Sequence, residues 1–168
     1  MSEKSVNVLF VCLGNICRSP TAHALFQTRV NDRQLEHSIM VDSAGTGEWH
    51  IGCPPDKRAQ KVALTYGYDM SHLQARQVSL ADFSKFDYIL GMDKQNLADL
   101  SAICPDHYQG VLGLFLREAG IDHTDEVPDP FYGDEKHFEN AIQLIINAVD
   151  VLLDRIQKEH NIHSCPLL

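Results

Sequence analysis

Residues 6–21 constrain the fold of this chain more than any other stretch. Val6 to Val11 is a run of Val, Leu and Phe interrupted only by Asn7, which reads as a buried parallel strand. Cys12 closes the run, Gly14 and Asn15 follow, and Arg18-Ser19-Pro20 leads into Thr-Ala-His-Ala-Leu-Phe. Pro20 suits the first turn of a helix, predicted over Pro20 to Arg33. The stretch is therefore strand, tight loop and helix N-terminus. Backbone N–H groups and the helix dipole make such a loop an anion site. Cys12 at its base lies in positive potential, which favours the thiolate. Arg18 at its end has the planar fork that grips two oxygens of a phosphoryl group. Gly14 and Asn15 suit a loop with positive φ angles, and Ser19 can donate a hydrogen bond to the sulfur.

The remaining pattern alternates strands with helices. Ser38 to Gly45 reads as a second strand. Pro54-Pro55 opens a helix with Ala59, Val62, Ala63 and Tyr66 on one face, and Gly67 stops it. Residues 68–78 look irregular. Ser79 to Lys85 holds a short helix, with Ser79 and Asp82 resembling a capping box. Phe86 to Met92 is a third strand, Asp93 caps a helix through Asn96, Leu97 and Leu100, and Val111 to Leu116 is a fourth strand. Arg117 to Gly133 is a long polar stretch without period, the kind of loop that is functional or mobile. A last helix, Asp134 to Glu159, carries Phe138, Ala141, Ile142, Ile145, Val149, Leu152, Leu153 and Ile156 as its core stripe. The fold class expected is α/β: one domain over residues 1–168, with a central four-stranded parallel sheet covered by helices on both faces. Ligands in such folds bind at the carboxyl ends of the strands. Cys12, Ser43 to Gly47, Met92–Asp93 and the long acidic loop all fall on that rim.

Composition matters here for what it excludes. The net charge of −9, from 14 basic and 23 acidic residues, argues against bulk binding to nucleic acid or anionic membrane. It also makes a local arginine-plus-helix site more telling. Five cysteines without framework spacing point to a reducing, cytoplasmic setting. No stretch approaches transmembrane length, and the short N-terminal run is not a signal peptide.

Cys12-Leu13-Gly14-Asn15-Ile16-Cys17-Arg18-Ser19-Pro20 resembles the signature of the low-molecular-weight protein tyrosine phosphatases, and Asp129-Pro130-Phe131-Tyr132-Gly133 resembles their general-acid motif. Asp42-Ser43-Ala44-Gly45, Pro54-Pro55-Asp56 and Gly91-Met92-Asp93-x2-Asn96 match in order, so the resemblance spans residues 6–155. It implies a phosphotyrosine phosphatase I, flavodoxin-like fold that hydrolyses phosphotyrosine and small aryl phosphates through a phosphocysteine. No cofactor and no metal is implied. The partners implied are a phosphotyrosine-bearing protein or peptide and inorganic phosphate as product. Cys12, Arg18 and Asp129 are the catalytic residues implied, and Leu13 to Cys17 with Ser19 the phosphate loop. The choice of Asp129 over Asp122, Asp125, Glu126 and Asp134 rests on the resemblance alone. So does the assignment of Ser43 and His72, with Asn15, to polar support behind the loop. Trp49, Phe131 and Tyr132, with Leu13 and Ile16, are read as a slot for a phenyl ring that leaves phosphoserine short of Cys12. The resemblance further implies a reversible disulfide between Cys12 and Cys17.

Departures from the pattern are two. Relatives often carry tyrosine where Phe131 stands, so the hydroxyl that phosphorylation control would use is missing at that position, while Tyr132 remains. They also often carry an acidic residue where His23 stands. Three alternatives remain open. Arsenate reductases share the loop type but relay oxidation through further cysteines, and none lies between Cys53 and Cys104. Protein-arginine phosphatases carry Thr where Ile16 stands. A module that binds phosphotyrosine without turnover would not need Cys12, Arg18 and Asp129 together. His160-x2-His163-x-Cys165 lacks a partner pair for a metal and reads as a frayed tail. Gly45-x-Gly47 lacks the third glycine of a dinucleotide loop.

Overall fold

A computed structural model describes residues 5–164. Four parallel strands, β1 (Val6–Cys12), β2 (Ile39–Gly45), β3 (Tyr88–Gly91) and β4 (Val111–Leu114), form one sheet in the order β2-β1-β3-β4. The chain leaves β1 toward β2 on one side and returns to β3 on the other. The order therefore reverses at the carboxyl end of β1, where open α/β sheets hold their ligands.

Period-two alternation divides β1 between two cores. Val6, Val8, Phe10 and Cys12 face the larger one, closed by α1 (Arg18–Asp32) and α6 (Glu135–His160). Leu9 and Val11 face a smaller one with Phe83, Phe86, Ile89 and Leu100, the last from α4 (Lys94–Ile103). Phe10 meets Phe26 and Phe115 edge-on, with ring centroids 5.4 and 5.1 Å apart. The expected stripe of α6 is buried throughout, with Ala148 added.

The sequence expectations differ from the structure at several places. Strand β3 spans Tyr88–Gly91 rather than Phe86 to Met92. Helix α1 begins at Arg18 rather than Pro20, because a proline lacks nothing in a first turn whose N–H groups have no helical partner. Helix α2 runs Lys57–Thr65, with Asp56 as its N-cap behind the two prolines. Strand β4 ends at Leu114, and Phe115 and Leu116 are the buried first half of a short helix, α5 (Phe115–Glu118). An apolar run that short does not distinguish strand from helical turn. The capping box at Ser79 is half formed. Asp82 accepts the Ser79 N–H at 2.8 Å, but no side chain caps α3 (Asp82–Lys85), whose N-cap is Ala81. The irregular segment 68–78 bridges Gly45 through Gln77. The histidine motif of the tail ends at Cys165, outside the described residues.

Candidate active site

The loop after β1 is wrapped so that its carbonyls turn outward. Cys12 C=O accepts the Thr46 N–H at 2.9 Å, Leu13 C=O that of Gly47 at 2.9 Å, and Ile16 C=O that of Asp56 at 2.7 Å. Among the described residues, the N–H groups of residues 13–17 donate to no protein acceptor. They form a ring of free donors above the start of α1, with the helix's positive end behind it. Gly45 is needed for this closeness, since a Cβ there would stand 2.8 Å from Leu13 O and 3.1 Å from Asn15 N.

Asn15 has φ +56° and is buried, a left-handed conformation that a short polar side chain tolerates. Its Nδ2 donates to Ser19 Oγ at 2.7 Å, and its Oδ1 accepts the Arg76 N–H at 3.0 Å. The Ser19 hydroxyl has one proton to give, and Cys12 Sγ lies 3.0 Å away. Ala44 C=O, at 3.3 Å, is the other acceptor within reach of that proton, and a sulfur in its anionic form, an acceptor only and nearer at 3.0 Å, competes for it. Gly14 does not adopt the positive φ expected of it. Its smallness serves the slot instead, because a Cβ there would lie 3.0 Å from the His50 ring.

The Arg18 side chain is 2% exposed. Its Nη1 donates to Asp93 Oδ2 at 2.6 Å and to Val127 O at 2.9 Å, and its Nη2 stands 3.5 Å from Asp129 Oδ2. Burial opposes the guanidinium charge, but Cys12 and the Asp93 hydrogen bond outweigh it and hold its pKa above the ordinary value. Among the described residues, Arg18 Nε is buried without a partner. One edge of the guanidinium is thus anchored to protein, while Nε on the other edge has its donor unused, a costly arrangement unless a ligand takes it. Asp93 is also the N-cap of α4, in a reciprocal box with Asn96.

Above the ring opens a cleft of about 420 Å³. Leu13, Ile16, Trp49, His50, Phe131 and Tyr132 wall it, and Cys12, Arg18 and Asp129 reach into it. The floor is polar and positive and the walls are aromatic, which fits a flat ring carrying a dianion. Asp129 is half exposed at the rim, and its Oδ1 accepts the Phe131 N–H at 3.1 Å. Trp49 is 69% exposed and Tyr132 93% exposed, so both stand at the mouth rather than in the core.

The low molecular weight phosphotyrosine protein phosphatase family model matches residues 7–162. The chain belongs to this family. It is 41% identical to the low molecular weight protein-tyrosine-phosphatase YfkJ of Bacillus subtilis, over 92% of this chain and 97% of that one. A protein tyrosine phosphatase of Entamoeba histolytica, solved with Hepes in its active site, superposes with a TM-score of 0.87 at 38% identity, covering 93% and 99% of the two chains. A Drosophila arginine phosphatase superposes with a TM-score of 0.82 at 31% identity, covering 89% and 97%.

Within this family frame, the support behind the loop departs from the expectation. Asn15 is held by Ser19 and by the Arg76 backbone, and His72 is exposed, with no hydrogen bond to Asn15 among the described residues. Ser43 is buried and pairs with His23 Nδ1 at 3.0 Å. Burial, against the pull of Asp42, lowers the His23 pKa to about 4. Cys17 is buried as a free thiol below the ring. Burial first, then Asp56, Cys12 and Asp129, pushes its pKa far above the ordinary thiol range. Sequence reasoning missed His50, Asp93 as the partner of Arg18, and Arg76. Only Asp93 left a trace, as the N-cap of its motif. The other two are exposed or half-exposed residues in irregular chain, without periodicity to mark them.

Proposed function

We propose that this chain is a protein tyrosine phosphatase acting in two steps through a phosphocysteine. Cys12 Sγ attacks phosphorus, the P–O bond to the tyrosyl oxygen breaks, and Asp129 gives that oxygen its proton. A water then attacks phosphorus, Asp129 takes its proton, the P–S bond breaks and inorganic phosphate leaves. The ring of N–H groups and Arg18 hold the three equatorial oxygens through both steps. Ser19 stabilises the sulfur as attacking and as leaving group.

The observation that carries this reading is the unused Arg18 Nε, buried beside the free amide ring and Cys12. These donors match a tetrahedral dianion, and the positive charge they supply removes the need for a metal. The aromatic walls match a phenyl ring. The substrate is therefore a phosphotyrosine-bearing protein or peptide. Five cysteines without framework spacing support a reducing, cytoplasmic setting for it. No helix among the described residues is long and apolar enough to cross a membrane. Residues 1–168 act as one phosphatase domain in this reading.

Hydrolysis of phosphotyrosine, phosphoserine and phosphoarginine peptides in the presence of a chelator tests it. Phosphotyrosine should be turned over fastest, and Cys12→Ser should be inactive. A preference for phosphoarginine would move the chain to the arginine class, against Ile16 in the slot wall. Capture without turnover would make it a binding module, and arsenate-dependent thioredoxin consumption would make it a reductase. The redox guard between Cys12 and Cys17 belongs to the same proposal. Peroxide treatment followed by peptide mass mapping should show the two linked, and their absence from one linked peptide would remove it.

A further inference from the structure

Behind the site lies a segment that the reaction scheme does not use. Residues 75–78 run between the phosphate loop and the turn that carries the slot wall. Arg76 C=O accepts the Gly45 N–H and Val78 N–H donates to Gly45 C=O, both at 2.8 Å, so the segment is laid along the end of β2. On its other side, Ala75 N–H donates to Cys53 C=O and Ala75 C=O accepts the Gly52 N–H, again at 2.8 Å. That pair clasps the turn bearing Trp49 and His50. From the middle, Arg76 N–H reaches Asn15 Oδ1 at 3.0 Å, the acceptor of the one left-handed residue in the phosphate loop.

The Arg76 side chain locks this arrangement. Nη1 and Nη2 bind the two oxygens of Asp82, each at 3.0 Å, and Asp82 is buried. Nε and Nη2 also bind Asp42 Oδ2 at 3.1 and 3.0 Å. Asp42 Oδ1 in turn holds the Ser43 N–H at 2.8 Å. A bidentate guanidinium fixes orientation as well as distance, which a lysine cannot do. A peptide segment with few apolar anchors would otherwise slide, and a shift of about 1 Å at a preorganised site costs up to two orders of magnitude in rate.

We propose that Arg76 is a positioning residue that holds the phosphate loop and the aryl slot in mutual register, through the strap of residues 75–78. The proposal rests on the reading of the loop as the phosphate site but not on turnover. Its guanidinium never touches substrate; it sets where the Asn15-pinned amide ring stands relative to Trp49 and His50.

The test compares Arg76→Gln, Arg76→Lys and Asp82→Asn with Arg33→Gln, which breaks a half-exposed ion-pair set between the end of α1 and α6. Two readouts are taken on folded protein at matched temperature below unfolding. The first is protection of Cys12 by orthophosphate against iodoacetate, located by fragment mass, which needs no catalysis. The second is kcat and KM on an aryl phosphate. For Arg76→Gln we expect the phosphate concentration that protects to rise roughly tenfold and kcat/KM to fall by at least as much. Arg76→Lys should recover a part of both, Asp82→Asn should fall between, and Arg33→Gln should leave both unchanged. A lowered unfolding temperature with wild-type phosphate protection and wild-type kcat/KM in the Arg76 and Asp82 variants would overturn the proposal. If Arg76→Gln does not fold, Asp82→Asn decides. Wild-type protein that phosphate protects but that turns over no aryl phosphate would sink the enzymatic reading while leaving the strap to be judged on protection alone.

Discussion

The two loops that meet at Arg18 are built in opposite ways. The phosphate loop is buried except at Leu13 and Gly14, the carbonyls of Cys12, Leu13 and Ile16 are taken by neighbouring segments, and its single left-handed residue is bonded on both sides. The acid loop is exposed or half-exposed from Asp122 to Tyr132, apart from Val127 and Pro130. Val127 anchors it, with its N–H on Met92 O at 2.8 Å and its C=O on Arg18 at 2.9 Å. Past that anchor, among the described residues, Asp129 has only a local turn bond and a 3.5 Å approach to Arg18. The difference follows from the two jobs. Holding a transition-state dianion needs donors that are already aimed, because reorganisation at the moment of reaction costs rate. Giving and retrieving a proton needs a group that reaches a leaving oxygen and then a water, so a looser hold is no handicap.

Mutations on the two sides should separate activity from stability. The largest effect is expected for Cys12→Ser, with turnover of an aryl phosphate falling by at least about four orders of magnitude. Orthovanadate or phosphate should still bind that variant, since Arg18 and the amide ring remain. Asp129→Asn comes next. With phenyl phosphate the loss should be about 10²- to 10⁴-fold, shrinking with p-nitrophenyl phosphate, whose leaving group needs no proton. Its melting temperature should stay near that of the wild type, since the carboxylate lies half exposed on the looser loop. If Asp129→Asn unfolds the protein, the contrast between the loops is wrong.

Ser19→Ala tests the tight side. It removes the hydroxyl that faces Cys12 and leaves buried Asn15 Nδ2 without its acceptor. A loss of stability of about 1–3 kcal/mol is expected together with a fall in kcat. Urea unfolding and turnover measured on one preparation check both.

A pH experiment sharpens the same side. His23 is half-buried against Ser43, and its pKa is lowered from 6.5 to about 4. Asp42 faces it with a charge that pulls the other way, and Arg76 and His72 add to the lowering. Between those pH values the unfolded chain binds the proton and the folded chain does not. Stability from this group is therefore complete above pH 6.5 and is lost as the pH falls toward 4. The contribution is up to about 3 kcal/mol. His23→Gln should flatten the fall in unfolding free energy across that window, and an unchanged slope would contradict the burial argument. The smallest effect is expected for Trp49→Ala. This exposed slot residue should change KM for phosphotyrosine peptides by a few fold and leave the unfolding temperature unmoved.

The sheet, its parallel sense and the strand–loop–helix that carries Cys12 and Arg18 were legible from residue order alone. Those features are local: an apolar run, a Cys-to-Arg spacing and a helix start all lie within one short stretch of chain. The stripe of α6 was legible for the same reason, as a period of 3.6 repeated over many turns. Where the signal was short, local reasoning lost its hold, as at Phe115–Leu116, where a strand gave way to a helical turn. Asp129 could be separated from its acidic neighbours by family resemblance but not by its own surroundings in the chain.

What the residue order alone determined was the chemistry available at one loop: a sulfur, a ring of amides and a guanidinium, brought together by steric and hydrogen-bonding rules that act over a few residues. What tertiary structure decided was how that loop is held and which side chains surround it. Asp93 reaches Arg18 across 75 positions, Arg76 reaches Asn15 across 61, and His50 lies against Gly14. Such pairings depend on where three separate strand ends converge, and no periodicity along the chain records that distance in space.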